Sequence, residues 1–283
     1  MGTLYLVATP IGNLEDITLR ALRILSEVPL IAAEDTRTIR KLLTHHQIRA
    51  PRLLSYTERN RRARTPIILA TLQEGDVALV SEAGTPGISD PGVHLVEAAV
   101  AEGHAVVPVP GPSALTAALA ASGLPTRRFH YLGFLPRRAA QRRALLREVA
   151  TWPDTLVAFE APHRLREALA DLLEALGDRR IAVCRELTKL HEEIFRGTLS
   201  EALTHFAQPR GEFTLVIEGV GEAKPKPQET EDIDEQLRAL RRQGLRARDA
   251  VREVARRSGR AHREVYRRWL ALSRRTPDEW PTD

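Results

Sequence analysis

The first part of the chain alternates short apolar runs with segments whose apolar residues recur every three or four positions. LYLVA at Leu4–Ala8, LIAA at Leu30–Ala33 and DVALV at Asp76–Val80 have the length and composition of buried strands. TLRALRILSEV at Thr18–Val28 instead spaces its apolar residues as one face of a helix does. RLLSY and AVVPV add two predicted strands, and further helices are predicted at Ile67–Gln73, Val93–Ala101 and Ser113–Ala121. Short apolar strands separated by helices predict a parallel sheet covered on both faces.

A second series of alternating segments begins near Arg128. YLGFL, TLVAF, IAVCREL and FTLVIEG have the character of strands, and the segments between them have helical spacing. At Gly219–Asp232 this pattern gives way to proline, lysine and acidic residues, which is typical of a linker. We therefore predict an α/β protein with α/β domains at residues 1–122 and 123–222, a linker at 223–230 and a helical module at 231–283.

The net charge of +5 is unevenly distributed along the chain. Fourteen arginines and three acidic residues lie between Arg238 and Arg275, which leaves 28 basic and 34 acidic residues elsewhere. Arginine clusters that neutralise phosphates give affinity for nucleic acid without sequence specificity. The module is therefore either a basic RNA-binding unit of the helix-turn-helix kind, with a turn at Ser258-Gly259, or a solvated pair of arginine-coated helices. Its predicted core positions are Leu237, Leu240, Leu245, Val251, Val254, Ala255, Val265, Trp269 and Leu270.

Several classes of protein are disfavoured by what the sequence does not contain. No run of about 18 uncharged apolar residues is present, and the N-terminus has no secretory pattern. The single cysteine, Cys184, lies in a strand-like segment, where we expect it in the core, so a reducing cytoplasm is expected. The chain has no paired-cysteine or H-E-x-x-H metal motif, no phosphate-binding glycine motif and no G-x-S-x-G elbow. We expect a site without a metal.

Four loops at predicted strand ends are unusually rich in glycine, proline or charge. They are ATPIGN at Ala8–Asn13, AAEDTR at Ala32–Arg37, SEAGTPGISDPG at Ser81–Gly92 and PVPGPSAL at Pro108–Leu115. In a parallel sheet, ligands bind outside the carboxyl ends of the strands. Glycine allows a close backbone approach and proline stiffens the chain. Each loop alone could be a tight connection, but four at one edge of a sheet predict a site for a small polar ligand.

Together with FEAPHRL and CRELTK, these loops resemble, in order and spacing, the tetrapyrrole-methylase-like class of methyltransferases. The resemblance covers about residues 3–220 and extends to the helical tail, and within the class it is strongest to the subgroup that acts on ribosomal RNA. It implies two α/β domains of the tetrapyrrole methylase type, with S-adenosylmethionine in the cleft between them, and a homodimer. It also implies methylation of a cytidine ribose 2′-hydroxyl in the decoding region of 16S rRNA in the small ribosomal subunit.

The resemblance also assigns residues to the cofactor. Gly84-Thr85-Pro86 stands where small-molecule relatives often have Gly-Asp-Pro, so the role of that aspartate does not transfer directly. The positions that the resemblance places along the cofactor are Thr9, Pro10, Gly84, Thr85, Pro86, Ile88, Ser113, Ala114, Phe159, Phe213 and Thr214.

Methyl transfer to a ribose oxygen needs accurate positioning and a group that takes the hydroxyl proton. Two charged clusters follow strand ends, one containing Glu34 and Arg37 and the other containing Arg185, Glu186 and Lys189. Glu34 and Lys189, with Glu186 beside the latter, are the candidates for the catalytic base. Either cluster could instead be a network of structural ion pairs.

Polar residues elsewhere are candidates for RNA contacts, although capping residues and solvated arginines would give the same pattern. The predicted RNA-binding residues are Arg37, Glu58, Asn60, Arg137, Arg138, His163, Arg164, Arg185, Arg260, Arg263 and Arg267. Two other functions remain open at this point. They are methylation of a small tetrapyrrole-type molecule and non-catalytic binding of rRNA during ribosome assembly.

Overall fold

The computed structural model describes residues 1–49, 51–221, 233–258 and 260–275. The chain forms two compact units, Met1–Val220 and Gly221–Asp283, called here the first and second units. The predicted linker at 223–230 lies outside the described residues, as do Gly259 of the predicted turn and the predicted module beyond residue 275.

The first unit begins with a five-stranded sheet in the order β3-β2-β4-β1-β5. All four strand pairs are parallel, which confirms the predicted parallel sheet. Its strands are β1 (Thr3–Val7), β2 (Leu30–Ala33), β3 (Arg52–Ser55), β4 (Val77–Val80) and β5 (Ala105–Val109). The helices are α1 (Leu19–Glu27), α2 (Thr36–His45), α3 (Arg61–Glu74), α4 (Val93–Ala101) and α5 (Ala114–Ser122).

Helices cover both faces of this sheet, and the central strand β4 shows why it is apolar throughout. Ala78 and Val80 pack in one cluster with buried residues of α1 and α2. Val77 and Leu79 pack on the other face with α3 and α4. Because successive side chains of a strand point to opposite faces, a strand buried on both sides has no polar alternation.

The second sheet differs from the first in its topology. Its order is β6-β7-β10-β8-β9, and only β6 and β7 pair in parallel. Its strands are β6 (Phe129–Phe134), β7 (Thr155–Glu160), β8 (Arg180–Arg185), β9 (Glu193–Thr198) and β10 (Phe213–Ile217). The helices α6 (Ala139–Val149), α7 (Pro162–Leu176) and α8 (Leu199–His205) complete this half. The predicted α/β class is confirmed, and the mixed sheet and β9 are features that the sequence pattern did not predict.

Helix α5 joins the two halves of the first unit. Ala118 and Leu119 of α5 share a buried cluster with Val157, Ala182 and other residues of the second sheet. The predicted boundary at residue 122 therefore falls at the end of a helix that precedes the boundary in the chain but packs against the second sheet. In the second sheet, the antiparallel pairing of β10 with β7 and β8 puts the start of β10 beside the carboxyl ends of the other two strands.

The second unit contains α9 (Ile233–Arg242), α10 (Ala247–Ser258) and α11 (His262–Arg275). Its core includes most of the predicted positions, but Leu270 is 41% exposed and Leu272 is buried in its place. The spacing of Val265, Trp269 and Leu272 is that of a single helix face, from which Leu270 points away. No helix in the described part of the chain is long and apolar enough to span a membrane.

Candidate functional site

A cavity of about 610 Å³ lies in the first unit, bounded by loops from both sheets and called here the cleft. This volume is within the range of small-molecule sites. The cleft brings together most of the predicted cofactor residues, as well as both candidate bases, whereas Thr9, Pro86 and Glu186 do not line it. The predicted residues in its lining are Pro10, Gly84, Thr85, Ile88, Ser113, Ala114, Phe159, Phe213, Thr214, Glu34 and Lys189.

Backbone hydrogen bonds fix one wall of the cleft. The N–H of Thr9 donates to the carbonyl of Gly84, and the N–H of Gly84 donates to the carbonyl of Thr9, both at 2.9 Å. Gly84 has φ +78°, a conformation that is strained for other residues. Thr9 therefore positions the wall through its main chain. Its hydroxyl is buried and has no hydrogen-bond partner among the described residues.

The loop from Ser81 to Gly92 carries further strained backbone. Ser89 has φ +63°, and its hydroxyl lies 2.7 Å from the phenolic oxygen of Tyr131 on β6. Gly92 has φ +153°, and a Cβ there would lie 3.0 Å from Leu79 Cδ2. Strained non-glycine residues persist where the surrounding structure holds them, often at functional sites. The loop is therefore tied to both halves of the first unit.

Three carboxylates, Glu34, Glu82 and Asp90, line the same part of the cleft. Burial raises the pKa of Asp90 to about 6, and the charge of Glu34 adds to the effect. Burial also raises the pKa of Glu34, opposed by a hydrogen bond from the N–H of Glu82, which lies 3.4 Å from Glu34 Oε2. Sequence reasoning missed Asp90, although it lies inside the SEAGTPGISDPG loop. No group of three or more His, Cys, Asp or Glu residues in the described ranges could hold a metal ion.

Lys189, the other candidate base, is held in an ion-pair network. Its Nζ lies 2.9 Å from Glu186 Oε1 and 2.8 Å from Glu212 Oε2. Burial lowers the pKa of Lys189, but hydrogen bonds to Glu212 and Glu186 outweigh it, so the pKa is raised overall. A lysine with a raised pKa stays protonated at neutral pH, which favours the structural alternative for this cluster. Of the two candidate bases, Glu34 has the more suitable protonation behaviour.

The backbone around this network is closely packed against the loop after β1. Glu186 and Thr188 have φ +50° and +66°. The hydroxyl of Thr188 accepts a hydrogen bond from the N–H of Asn13 at 3.1 Å. A Cβ on Gly12 would lie 2.4 Å from Lys189 Cγ, so only glycine fits without movement of the loop. These contacts hold the first-sheet and second-sheet walls of the cleft together.

Glu160, which lines the cleft, forms an ion pair with Arg164. Glu160 is 1% exposed, its Oε1 lies 2.5 Å from Arg164 Nη2, and its Oε2 has no partner among the described residues. Arg164 also donates to the carbonyl of Leu135 at 3.0 Å. The Arg164 side chain is 12% exposed and makes these internal contacts, which favour a structural role, and its role in RNA binding stays a prediction.

Two further predicted RNA contacts have local partners. Asn60 accepts a hydrogen bond from the N–H of Thr57 at 2.8 Å and donates to the carbonyl of Ser55 at 3.2 Å. These contacts hold the turn before α3, and the Asn60 side chain makes no capping hydrogen bond to that helix. Glu58 is exposed and pairs with Arg61 at 2.6 Å. The roles of both residues in RNA binding stay predictions.

The remaining predicted RNA residues of the first unit are more accessible. Arg37 is exposed and pairs with Asp35, and His163 is exposed at the start of α7. Arg185 is half-buried and donates to the carbonyl of Arg210 at 2.7 Å. Arg137 and Arg138 are both exposed, directly before α6. Their role in RNA binding stays a prediction.

In the second unit, α11 exposes Arg263 and Arg267 along one shallow groove with Ala261 and Ala271. Arg260 precedes this helix and pairs with Glu264 at 2.7 Å. Because the ion pair is solvent-exposed, it is weak and leaves the guanidinium accessible.

Comparisons with known proteins agree with this geometry. The sequence profile of the tetrapyrrole (corrin/porphyrin) methylases matches residues 3–203, and that of the RsmI C-terminal HTH domain matches residues 227–273. Among solved structures, the methyltransferase CobJ superposes with a TM-score of 0.60 at 20% identity, covering 77% of this chain and 95% of that one. Uroporphyrin-III C-methyltransferase from Thermus thermophilus, solved with S-adenosylhomocysteine, gives a TM-score of 0.53 at 25% identity, over 77% of this chain and 98% of that one.

Curated proteins that share one name are more similar in sequence to this chain than these two solved structures are. Ribosomal RNA small subunit methyltransferase I of Halalkalibacterium halodurans is 49% identical over 276 residues, covering 94% of this chain and 93% of that protein. The protein of the same name from Thermotoga maritima is 53% identical over 222 residues, covering 77% of this chain and 99% of that protein. The chain therefore belongs to the tetrapyrrole methylase family, in the group of ribosomal RNA small subunit methyltransferase I proteins.

Proposed function

We propose that this chain is an S-adenosylmethionine-dependent rRNA methyltransferase that modifies the ribose 2′-hydroxyl of a cytidine in the decoding region of 16S rRNA. The observation that carries the proposal is the 49% identity to a ribosomal RNA small subunit methyltransferase I along 94% of the chain. The alignment includes parts of both units, the cleft-bearing one and the arginine-rich one. A methyltransferase for a small tetrapyrrole would have no evident use for the second unit.

The cleft fits the proposed cofactor in three respects. Its volume suits a molecule of this size class. Two buried polar atoms have no hydrogen-bond partner among the described residues, Oε2 of Glu160, which lines the cleft, and Oγ1 of Thr9, whose main chain pairs with Gly84 of the cleft wall. The carboxylates of Glu34, Glu82 and Asp90 complement a cationic ligand. Pro10, Gly84, Thr85, Ile88, Ser113, Ala114, Phe159, Phe213 and Thr214 would hold the cofactor, with Thr9 and Pro86 supporting them.

S-adenosylmethionine supplies an activated methyl group on a positively charged sulfur. The chain supplies position, because the paired walls of the cleft restrict where an acceptor hydroxyl can stand. Apolar side chains at Ile11, Leu115 and Leu187 also line the cleft, where they would reduce the contact of the reacting groups with water. We propose that the proton leaving the ribose hydroxyl passes to a carboxylate oxygen of Glu34. Lys189, kept charged by its two glutamates, then stabilises the wall rather than accepting the proton.

The second unit would supply affinity for the RNA. Arg260, Arg263 and Arg267 lie on or next to an exposed helix, where they can neutralise phosphates. Arg37, Arg137, Arg138, His163 and Arg185 of the first unit would add contacts closer to the cleft. We further propose that the protein acts on the small ribosomal subunit, as a homodimer, in the cytoplasm.

The test is transfer of label from methyl-labelled S-adenosylmethionine to small subunits purified from cells that lack the enzyme. We expect label on one cytidine, and after nuclease digestion mass spectrometry should place the methyl group on its ribose. Subunits from cells that contain the enzyme, which are already modified, are the matched control. Label on a base, or transfer to a tetrapyrrole instead of RNA, would contradict the proposal. Binding of RNA with no binding of cofactor in calorimetry would identify a non-catalytic assembly factor.

A further inference from the structure

Phe134, the last residue of β6, stands out among the aromatic residues of the cleft. Three phenylalanines line the cleft, of which Phe213 is 2% exposed, Phe159 is half-buried and Phe134 is 54% exposed. Its ring packs edge-to-face on Phe159, with centroids 5.5 Å apart, and leaves the rest of its surface to solvent. A large apolar ring that is both part of a cleft and open to solvent is a surface suited to a ligand.

The position of this ring is fixed by buried groups behind it. Directly after Phe134, the carbonyl of Leu135 accepts a hydrogen bond from Arg164, and the carbonyl of Pro136 accepts one from Arg142. Arg142 is 2% exposed, and it lies 2.6 Å from Asp171 on α7. The buried Arg142 and the largely buried side chain of Arg164 therefore hold the turn that follows Phe134. A rigid ring loses little conformational entropy when a ligand packs on it.

Positive charge lies immediately beyond the ring. Arg137 and Arg138 are exposed, and neither makes an ion pair with any residue that the structure describes. An exposed aromatic ring next to uncommitted arginines is the combination that proteins use for unstacked nucleotides. The ring stacks on the base and the guanidinium groups pair with the phosphates.

We propose that Phe134 is the platform on which the base of the acceptor nucleotide stacks while its ribose stands in the cleft, with Arg137 and Arg138 on the flanking phosphates. This rests on the proposed function, because it requires an RNA acceptor. A ribose cannot enter the cleft without its base, so the base must lie against the rim. Of the rings that line the cleft, Phe134 is the one with most of its surface available.

The experiment compares four full-length variants in methylation of unmodified small subunits. Phe134→Ala and Phe134→Leu remove the aromatic ring, and Phe134→Trp keeps one. Phe129→Ala, at the opposite end of β6, removes a ring that is 41% exposed but does not line the cleft. We expect KM for the subunits to rise roughly 5- to 150-fold in the alanine and leucine variants, the range of a lost base stack. Phe134→Trp and Phe129→Ala should stay close to wild type.

Two further measurements on the same variants separate stacking on RNA from other uses of the ring. Affinity for S-adenosylhomocysteine, measured by calorimetry, and the sedimentation coefficient should both remain at wild-type values. Full activity of Phe134→Leu would overturn the inference, because leucine has no ring to stack. A loss of S-adenosylhomocysteine affinity would assign the ring to the cofactor, and a change in sedimentation would assign it to a contact between copies. Failure of the proposed function is distinguishable, since the wild-type protein would then leave the subunits unlabelled.

Discussion

Replacing Asp90 by asparagine is expected to stabilise the protein at pH 8 and to have little effect near pH 4. Asp90 shares its part of the cleft with Glu34 and Glu82, and burial raises its pKa from 3.8 to about 6. The charged form is therefore less favourable in the folded protein than in the unfolded chain. The resulting loss of stability is absent below the unfolded pKa, grows as the pH rises from 3.8 to about 6, and is constant above that.

The size of the effect follows from the same two values. At 1.36 kcal/mol per pKa unit, the difference corresponds to about 3 kcal/mol for a fully desolvated group. Asp90 is only partly buried, so solvent screening reduces the expected gain to roughly 1–2 kcal/mol. For a unit of this size that is an increase in Tm of about 3–6 °C. Asparagine has almost the same shape as aspartate, so the substitution removes the charge without opening a cavity.

Thermal and urea unfolding of wild type and Asp90→Asn at several pH values between 4 and 8 would measure this gain. Asp16→Asn is the matched control, because Asp16 is an exposed carboxylate in the 3₁₀ turn Leu14–Asp16. The gain of Asp90→Asn should increase with pH and level off above about 6, and the control should show no such trend. A gain that does not change with pH, or a loss of stability at pH 8, would refute the electrostatic reasoning.

Three other variants test the site and the basic unit. Glu34→Gln should lower kcat by about 10²- to 10⁴-fold in the rRNA methylation assay, as expected for loss of a general base. Its affinity for S-adenosylhomocysteine, measured by calorimetry, should stay near normal. An unchanged kcat would exclude Glu34 as the base. Gly12→Ala should destabilise the first unit by about 1–3 kcal/mol in urea unfolding, because its Cβ would lie 2.4 Å from Lys189 Cγ. Gly75→Ala is the control and should destabilise it less, because the nearest atom to its Cβ would be Pro29 Cγ at 3.3 Å. Equal losses would contradict the steric argument. Replacing Arg263 and Arg267 together by alanine should weaken binding to small subunits and reduce the slope of log K against log salt by about 1–2. An unchanged slope would show that these two arginines make no phosphate contact.

The elements that the sequence predicted well are those in which burial is continuous. Strands β2 and β4 of the first sheet are buried along their whole length and apolar on both faces, and that pattern is independent of their partners. Strand β9 mixes apolar and polar residues because it lies at the edge of the second sheet and is only half-buried. The pattern of its sequence, EIFRGT, therefore cannot be distinguished from that of a loop. The direction of β10 could not be predicted either, since periodicity does not distinguish parallel from antiparallel pairing.

Predictions about single polar side chains were limited by a different factor. Arg164 looks like a surface arginine in the sequence, and only the fold brings it against Glu160 and the carbonyl of Leu135. Asp90 was missed because its raised pKa comes first from burial and then from the charge of Glu34, which is 56 positions away in the sequence but lines the same cleft. Burial and charge at a site depend on chain segments that meet only in three dimensions. The cleft could thus be located from its loops, but the protonation behaviour of its residues could not.

The paired hydrogen bonds between Thr9 and Gly84 have a consequence for mutational mapping of the cleft. Both bonds join main-chain atoms, so the side chain of Thr9 can change while this wall keeps its shape. Alanine at Thr9 removes only a side chain and would therefore report the wall as unimportant even if its main chain carries much of the ligand's binding energy. Replacing one of these amides by an ester removes the N–H donor itself, and it is the substitution that would reveal how much the wall contributes.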